Sequence, residues 1–246
     1  MRTCIIMSLL LLLCVGNATA KMDYPKLEKK FSNSPDKDKI LNECKSYLQK
    51  MEGVLKDTAI YNTAKKKRIA SLKKQLSAAK DYPTQFRLTM SLQQEYAILN
   101  LPTSLQYAIK ARTLARENKV ITDFYLATIN EAALLVKGGY FKQSAALLES
   151  IPKDKLDDET LQKYYETLFD LNYEDGFVFP GELNKNDQFS IAMTSVYNET
   201  KKRFPENLAL LTKMKMEYYF HIKEYAQASR YALKLLTFLE PRTENF

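Results

Sequence analysis

The sequence predicts an all-α solenoid of antiparallel helix pairs, and three observations predict it. Leu134–Pro152 (LLVKGGYFKQSAALLESIP) and Tyr218–Pro241 (YYFHIKEYAQASRYALKLLTFLEP) share one plan. Each has an apolar helix, a short break, an aromatic residue, a Ser or Ala three residues later, and a second apolar helix ending at Pro. Elsewhere apolar residues recur at spacings of three and four, the period of one helix face. First-helix starts near 84, 122, 157 and 207 follow one another at roughly 38, 35 and 50 residues. Such a pair cannot bury its apolar faces alone, so it stacks on a neighbour, and stacked pairs form extended binding surfaces.

The chain has 246 residues and begins MRTCIIMSLLLLLCVGNATA. Arg2 gives a positive start, Ile5–Val15 is an apolar run broken only by Ser8, and Ala18-Thr19-Ala20 offers small residues to a signal peptidase. Residues 1–20 therefore read as a secretory signal peptide cleaved after Ala20. The run is short of the ~20 apolar residues of a membrane span. A retained, membrane-anchoring signal is the alternative. Cys14 follows Leu13, where a lipoprotein signal wants a small residue. No later segment is long and apolar enough to cross a membrane, so a periplasmic or secreted chain is expected. Beyond the signal only Cys44 remains, as a buried thiol or an intermolecular bridge.

Residues 21–37 are polar and punctuated by Pro25 and Pro35, which predicts a loosely ordered leader. Residues 38–80 predict a basic helical hairpin. Ile40, Leu41, Cys44, Tyr47, Leu48, Met51 and Leu55 form the stripe of its first helix. After a break at Asp57-Thr58, Ile69, Leu72, Leu76 and Ala79 form that of the second, over about 59–79. Residues 81–246 then predict four pairs: 84–99 with 103–117, 122–137 with 141–150, 157–173 with 187–204, and 206–222 with 225–239. An insertion at 174–186 (EDGFVFPGELNKN) parts the members of the third pair.

Local chemistry agrees with these elements. Pro102 suits a helix start, where its missing N–H is harmless. Gly138-Gly139 supplies the freedom of a tight turn. Asp157-Asp158-Glu159 places acidic residues where a helix dipole favours them. Ser104, Ser144 and Ala228 are small residues at one matching place of the second helices, where antiparallel helices approach closely. Phe141 and Tyr225 wedge at the turns, with Leu101 in that place in the first pair. The first two spacings approximate the ~34-residue tetratricopeptide repeat. The predicted architecture is thus a right-handed, tetratricopeptide-like α-solenoid with the hairpin on its first repeat.

Charge and chemistry exclude several functions. Of the net +8, residues 21–80 carry +9 (16 Lys/Arg against 7 Asp/Glu), while 81–246 carry −2 (20 against 22). The basic pI therefore describes the hairpin and makes no case for nucleic acid. His221 is the one histidine and Cys44 the one cysteine outside the signal, far apart in the chain. A Cys/His site lacks a base and an orienting partner. Metal-ligand spacings and a phosphate-binding Gly loop are missing from the sequence. The reading is non-enzymatic, with no catalytic, cofactor or metal residue assigned.

Four features remain as binding candidates. Gln93, Tyr96, Lys213, Glu217 and His221 fall on the inward positions of the repeats and suit an extended peptide, or are ordinary surface. Phe177, Val178 and Phe179 of the insertion either meet a partner or pack back on their own solenoid. Lys66, Lys67, Lys73 and Lys74 form a basic patch, either a solvated helix face or a contact for an anionic surface. The last helix, with Tyr231, Leu235, Phe238 and Leu239, has no capping helix after it, so either another chain covers it or the protein continues beyond Phe246.

The order of a signal peptide, a Lys-rich helix (KKKRIASLKKQL), SLQYAIKARTLA and GGYFKQSAALLESI resembles one group across the mature chain. It is similar to the N-terminal sensor region, a domain of unknown function with tetratricopeptide-like repeats, of Bacteroidetes-type envelope transcriptional regulators. The resemblance implies signal sensing linked to transcription. In that group a membrane helix, a coiled coil and a cytoplasmic DNA-binding domain follow the repeats. None is present here, so membrane association is expected only through a retained signal or a span beyond Phe246. The function expected is a protein- or peptide-binding sensor module. The alternative is an anionic-surface or assembly subunit using the Lys-rich helix or the last helix.

Overall fold

The structure, a computed structural model, describes residues 58–179 and 183–239. The signal segment, the leader, the first hairpin helix with Cys44, and residues 180–182 and 240–246 lie outside the described residues. Among the described residues all regular structure is helical. The helices are α1 (Thr58–Ala78), α2 (Tyr82–Tyr96), α3 (Leu101–Glu117), α4 (Ile121–Lys137), α5 (Phe141–Glu149), α6 (Asp158–Val178), α7 (Gln188–Arg203), α8 (Leu208–His221) and α9 (Tyr225–Leu239). A 3-10 turn (Lys153–Lys155) precedes α6. The chain divides after Phe179 into two compact units.

The first unit holds α1–α6. Neighbours in sequence pack on one another from α1 to α6, and α6 also packs on α4. Phe86 and Met90 of α2 meet Ala111 and Ala115 of α3 and Ala127 of α4, with Tyr82, Phe124 and Leu126 around them. The alanines are fully buried, which is what lets three helices share one contact. At the predicted small position the Ser104 hydroxyl donates to the carbonyl of Gln93 (2.7 Å), and that of Ser144 to the carbonyl of Ala132 (3.0 Å). Polar ties also link elements. Arg112 of α3 makes a two-point ion pair with the buried Glu131 of α4, at 2.6 and 3.2 Å. Tyr82 donates to Asp123 at 2.6 Å, and burial together with that carboxylate pushes its phenol ionisation up.

The second unit's described part holds α7, α8 and α9, packed in that order. Met216 of α8 meets Ala232 and Leu235 of α9, flanked by Ala209, Tyr231 and Leu236. The last helix is therefore not the bare apolar edge its sequence suggests. Leu235 is 2 % exposed and Tyr231 partly buried, and only Phe238 of the predicted edge residues with described side chains is exposed. The pattern shows that α9 is apolar. It does not show which neighbour takes up that face.

Caps define most helix starts. Asp81, Asn100, Asp157, Asp187 and Asn207 each accept a backbone N–H of the first turn that follows, a contribution of about 1 kcal/mol apiece. Three helix ends share one turn. After α3, α4 and α8, the N–H of Val120, Tyr140 and Glu224 closes on the carbonyls of Ala115, Leu135 and Tyr219. The preceding N–H, of Lys119, Gly139 or Lys223, closes on Arg116, Val136 or Phe220. This pattern needs a left-handed residue, and φ is 58° at Lys119, 76° at Gly139 and 65° at Lys223.

Two of these left-handed seats carry a side chain, at a cost of about 1–2 kcal/mol each. Lys223→Gly should raise stability by about 0.5–1 kcal/mol, because glycine's extra freedom in the unfolded chain returns part of the gain. Gly139→Ala should lower it by about 1 kcal/mol. Urea unfolding midpoints measure both, and opposite signs would refute the shared turn.

Candidate ligand-recognition surfaces

The five groove candidates divide between the units. Gln93 lies on α2 and is only 4 % exposed. Its amide Nε2 reaches Ser104 Oγ at 3.4 Å, and its Oε1 is buried without a hydrogen bond among the described residues. Tyr96 closes α2, partly buried, with its ring stacked on Tyr107 of α3 (5.7 Å between centroids, 10° between planes). The ammonium of the exposed Lys73 stands 5.5 Å from the Tyr96 ring centre.

Lys213, Glu217 and His221 recur at four-residue spacing, one above another on one face of α8. Lys213 Nζ lies 3.9 Å from Glu217 Oε1. The chain itself covers much of this face, since Glu217 and His221 are both buried. His221 Nε2 stands 3.1 Å from Asp187 Oδ2, and its Nδ1 is buried without a hydrogen bond among the described residues. Asp187 is also the cap of α7. Its Oδ1 accepts from the N–H of Phe189 and Ser190, and its Oδ2 from the Asn184 N–H and the Ser190 hydroxyl. Burial pushes its carboxyl up, but the Ser190 and His221 contacts outweigh it and hold the group below the usual carboxylate range.

Ser190, Asp187 and His221 are the three residue types of a hydrolase triad, in the wrong order. The Ser190 hydroxyl donates to Asp187, not to the imidazole, and the His221 side chain has no exposure. A triad needs the hydroxyl on the histidine and an open path to substrate. No three His, Cys, Asp or Glu among the described residues gather as metal ligands. No described helix is long and apolar enough to cross a membrane.

Phe177 and Val178 do not sit in a loop. They form the last turn of α6, and Phe179 follows as its cap. Asp175-Gly176 looks like a break in sequence, yet Gly176 is a buried helical position. Packing there offsets a propensity cost of about 1 kcal/mol. The three apolar residues are 49 %, 52 % and 65 % exposed, and Phe179 meets the Phe141 ring edge-on at 6.5 Å. On α1, Ile69 is buried while Lys66, Lys67, Lys73 and Lys74 are all exposed. The nearby Arg68 is held by Glu95 of α2 at 2.7 Å.

A further cluster escaped the sequence reading. Tyr219 of α8 stacks on Tyr231 of α9 (5.4 Å, 17°). Lys215 of α8 places its ammonium 4.5 Å from the centre of the Tyr197 ring of α7 and 5.7 Å from that of Tyr219. The signal was present: Tyr107 and Tyr231 are each the seventh residue of a second helix, and Tyr96 and Tyr219 each lie near the end of a first.

The Asp187 network sets a pH dependence. A carboxylate held below its unfolded value stabilises the fold fully above that value, about 3.9, and the contribution fades as pH falls through the lower folded value. Asp187→Ala should cost about 1–2 kcal/mol at pH 7. Its deficit against the parent should shrink below about pH 4. Urea unfolding at both pH values checks this.

No curated protein and no solved structure matches the chain. Residues 55–246, which include every described helix from α1 to α9, match the family model described as the SusR N-terminal TPR domain. Tetratricopeptide (TPR) folds of stacked helix pairs are protein-interaction modules, not catalysts. With more than half its length matched, and with the helix pairs that the match requires, the chain belongs to the SusR N-terminal TPR domain family.

Proposed function

We propose that this chain is an extracytoplasmic protein- or peptide-binding module serving as the sensor part of a transcriptional regulator. The match of residues 55–246 to the SusR N-terminal TPR domain carries the reading. The N-terminal sequence, with Arg2, the Ile5–Val15 run and Ala18-Thr19-Ala20, supports export to the periplasm or beyond. Packed helix pairs support a binding role because a preformed surface limits the ordering cost of association. The candidates for contact are Tyr96 on α2 and Lys213 on α8, each only partly buried.

A second reading rests on a separate observation, the four exposed lysines of α1. It makes the domain a binder of anionic surfaces, with affinity that falls steeply with salt.

Both readings are tested on the chain from Lys21 onward, incubated with envelope extract and with vesicles rich in anionic lipid. Capture of a defined protein or peptide that Tyr96→Ala or Lys213→Ala weakens by about tenfold, with Lys66, Lys67, Lys73 and Lys74→Gln without effect, is the expected result. Salt-sensitive vesicle binding that the four Gln substitutions abolish would install the second reading. A chain that captures nothing would overturn the first.

A further inference from the structure

Among the polar clusters of the described residues, the one around Lys215 is explained neither by packing nor by helix capping. Tyr197 and Lys201 are one turn apart on α7, Lys215 and Tyr219 one turn apart on α8, and Tyr231 comes from α9. Lys215 is partly buried, and among the described residues neither it nor Lys201 pairs with a carboxylate. The Tyr197 and Tyr219 rings offer their negative faces, a cation–π contact of about 0.5–2 kcal/mol. That leaves the ammonium protons without an anionic acceptor. Burial lowers the Lys215 pKa, and the charge of Lys201 lowers it further. The Tyr197 and Tyr219 phenols are neutral hydrogen-bond donors at neutral pH, and burial raises them further.

Two structural explanations fall short. Lys201 stands with Lys202 and Arg203 in the last turn of α7, where a helix dipole favours cations. Lys215 lies in the interior of α8, where it does not. Nor does the fold require tyrosines. The N–H just before the second helix closes on the carbonyl of Tyr96 in the α2/α3 pair, Leu135 in α4/α5 and Tyr219 in α8/α9. The seventh residue of the second helix is Tyr107, Leu147 and Tyr231 in turn. The middle pair thus has leucines at both places where the outer pairs stack two tyrosines beneath a lysine, Lys73 in one and Lys215 in the other.

We propose that Lys215, with Lys201 and the phenols of Tyr197, Tyr219 and Tyr231, forms a recognition site for a carboxylate side chain on an acidic peptide segment of a partner protein. The lysines supply the opposite charge, and the phenols supply neutral donors. Phosphate is more often gripped by an Arg fork, whereas the cations at this site are the two lysines. The site rests on the peptide-binding reading above and gives it a ligand class.

Fluorescence anisotropy with a labelled twelve-residue peptide of Gly-Glu-Leu repeats, and its Gln counterpart, tests the site on the chain from Lys21 onward. The Glu peptide should bind at low salt and the Gln peptide about tenfold more weakly. Lys215→Met should weaken the Glu peptide by a similar factor, and the exposed Lys201→Gln by a few-fold, with unchanged circular dichroism melts. If Lys215→Met fails to fold, Lys201→Gln decides alone. Equal affinity for the two peptides, no binding of the Glu peptide, or no effect of Lys201→Gln overturns the site. So does Lys215-dependent binding of inorganic phosphate or anionic vesicles in place of the peptide. Envelope-protein capture that survives both lysine substitutions would sink this site and leave the module reading standing. Loss of all capture by the parent chain would sink both.

Discussion

Three helix pairs, α2/α3, α4/α5 and α8/α9, turn on a small side chain at the fourth residue of the second helix. Ser104, Ser144 and Ala228 occupy that seat and are fully buried. A larger side chain there would overpack by about 1–3 kcal/mol. With the small residue in place, the second helix lies close enough for a serine hydroxyl to reach a first-helix carbonyl. That approach sets the register of one helix on the other. Every later feature inherits it: which tyrosines stack, which lysine stands over them, and which polar groups are sealed inside.

The polar residues sort by that register. Glu131 and Arg112 join two helices inside the first unit, where the ion pair is partly desolvated. Breaking one partner of such a pair costs more than the pair contributes, so packings that part Arg112 from Glu131 are disfavoured. Asp187 does similar work in the second unit by capping α7 and meeting His221 of α8 at once. Asp187, Ser190 and His221 are here structural ties, while the residues proposed for recognition are partly buried tyrosines together with lysines at helix junctions.

Much of the fold was legible. The all-α class, the paired helices, the small-residue seat and the Gly139 turn follow from periodicity, from side-chain volume and from one glycine's freedom. Acidic residues at 157–159 did mark a helix start. Boundaries were less readable. α6 runs on through Asp175-Gly176 because tertiary packing accepts a glycine that local propensity rejects. Lys119 and Lys223 occupy left-handed seats that no sequence rule would assign to lysine.

The candidate sites were legible only as residue types. Periodicity puts Gln93, Glu217 and His221 on a helix face, but burial depends on what packs over that face, and the structure covers all three. The apolar stripe of α9 was plain, yet only the fold shows that α8 takes up Leu235. By itself the sequence determined the all-α class, the helix-pair plan and the family, because these rest on local periodicity and side-chain size. The tertiary structure decided which lysine and tyrosines gather at Lys215, because that requires side chains distant in sequence to share one helix junction.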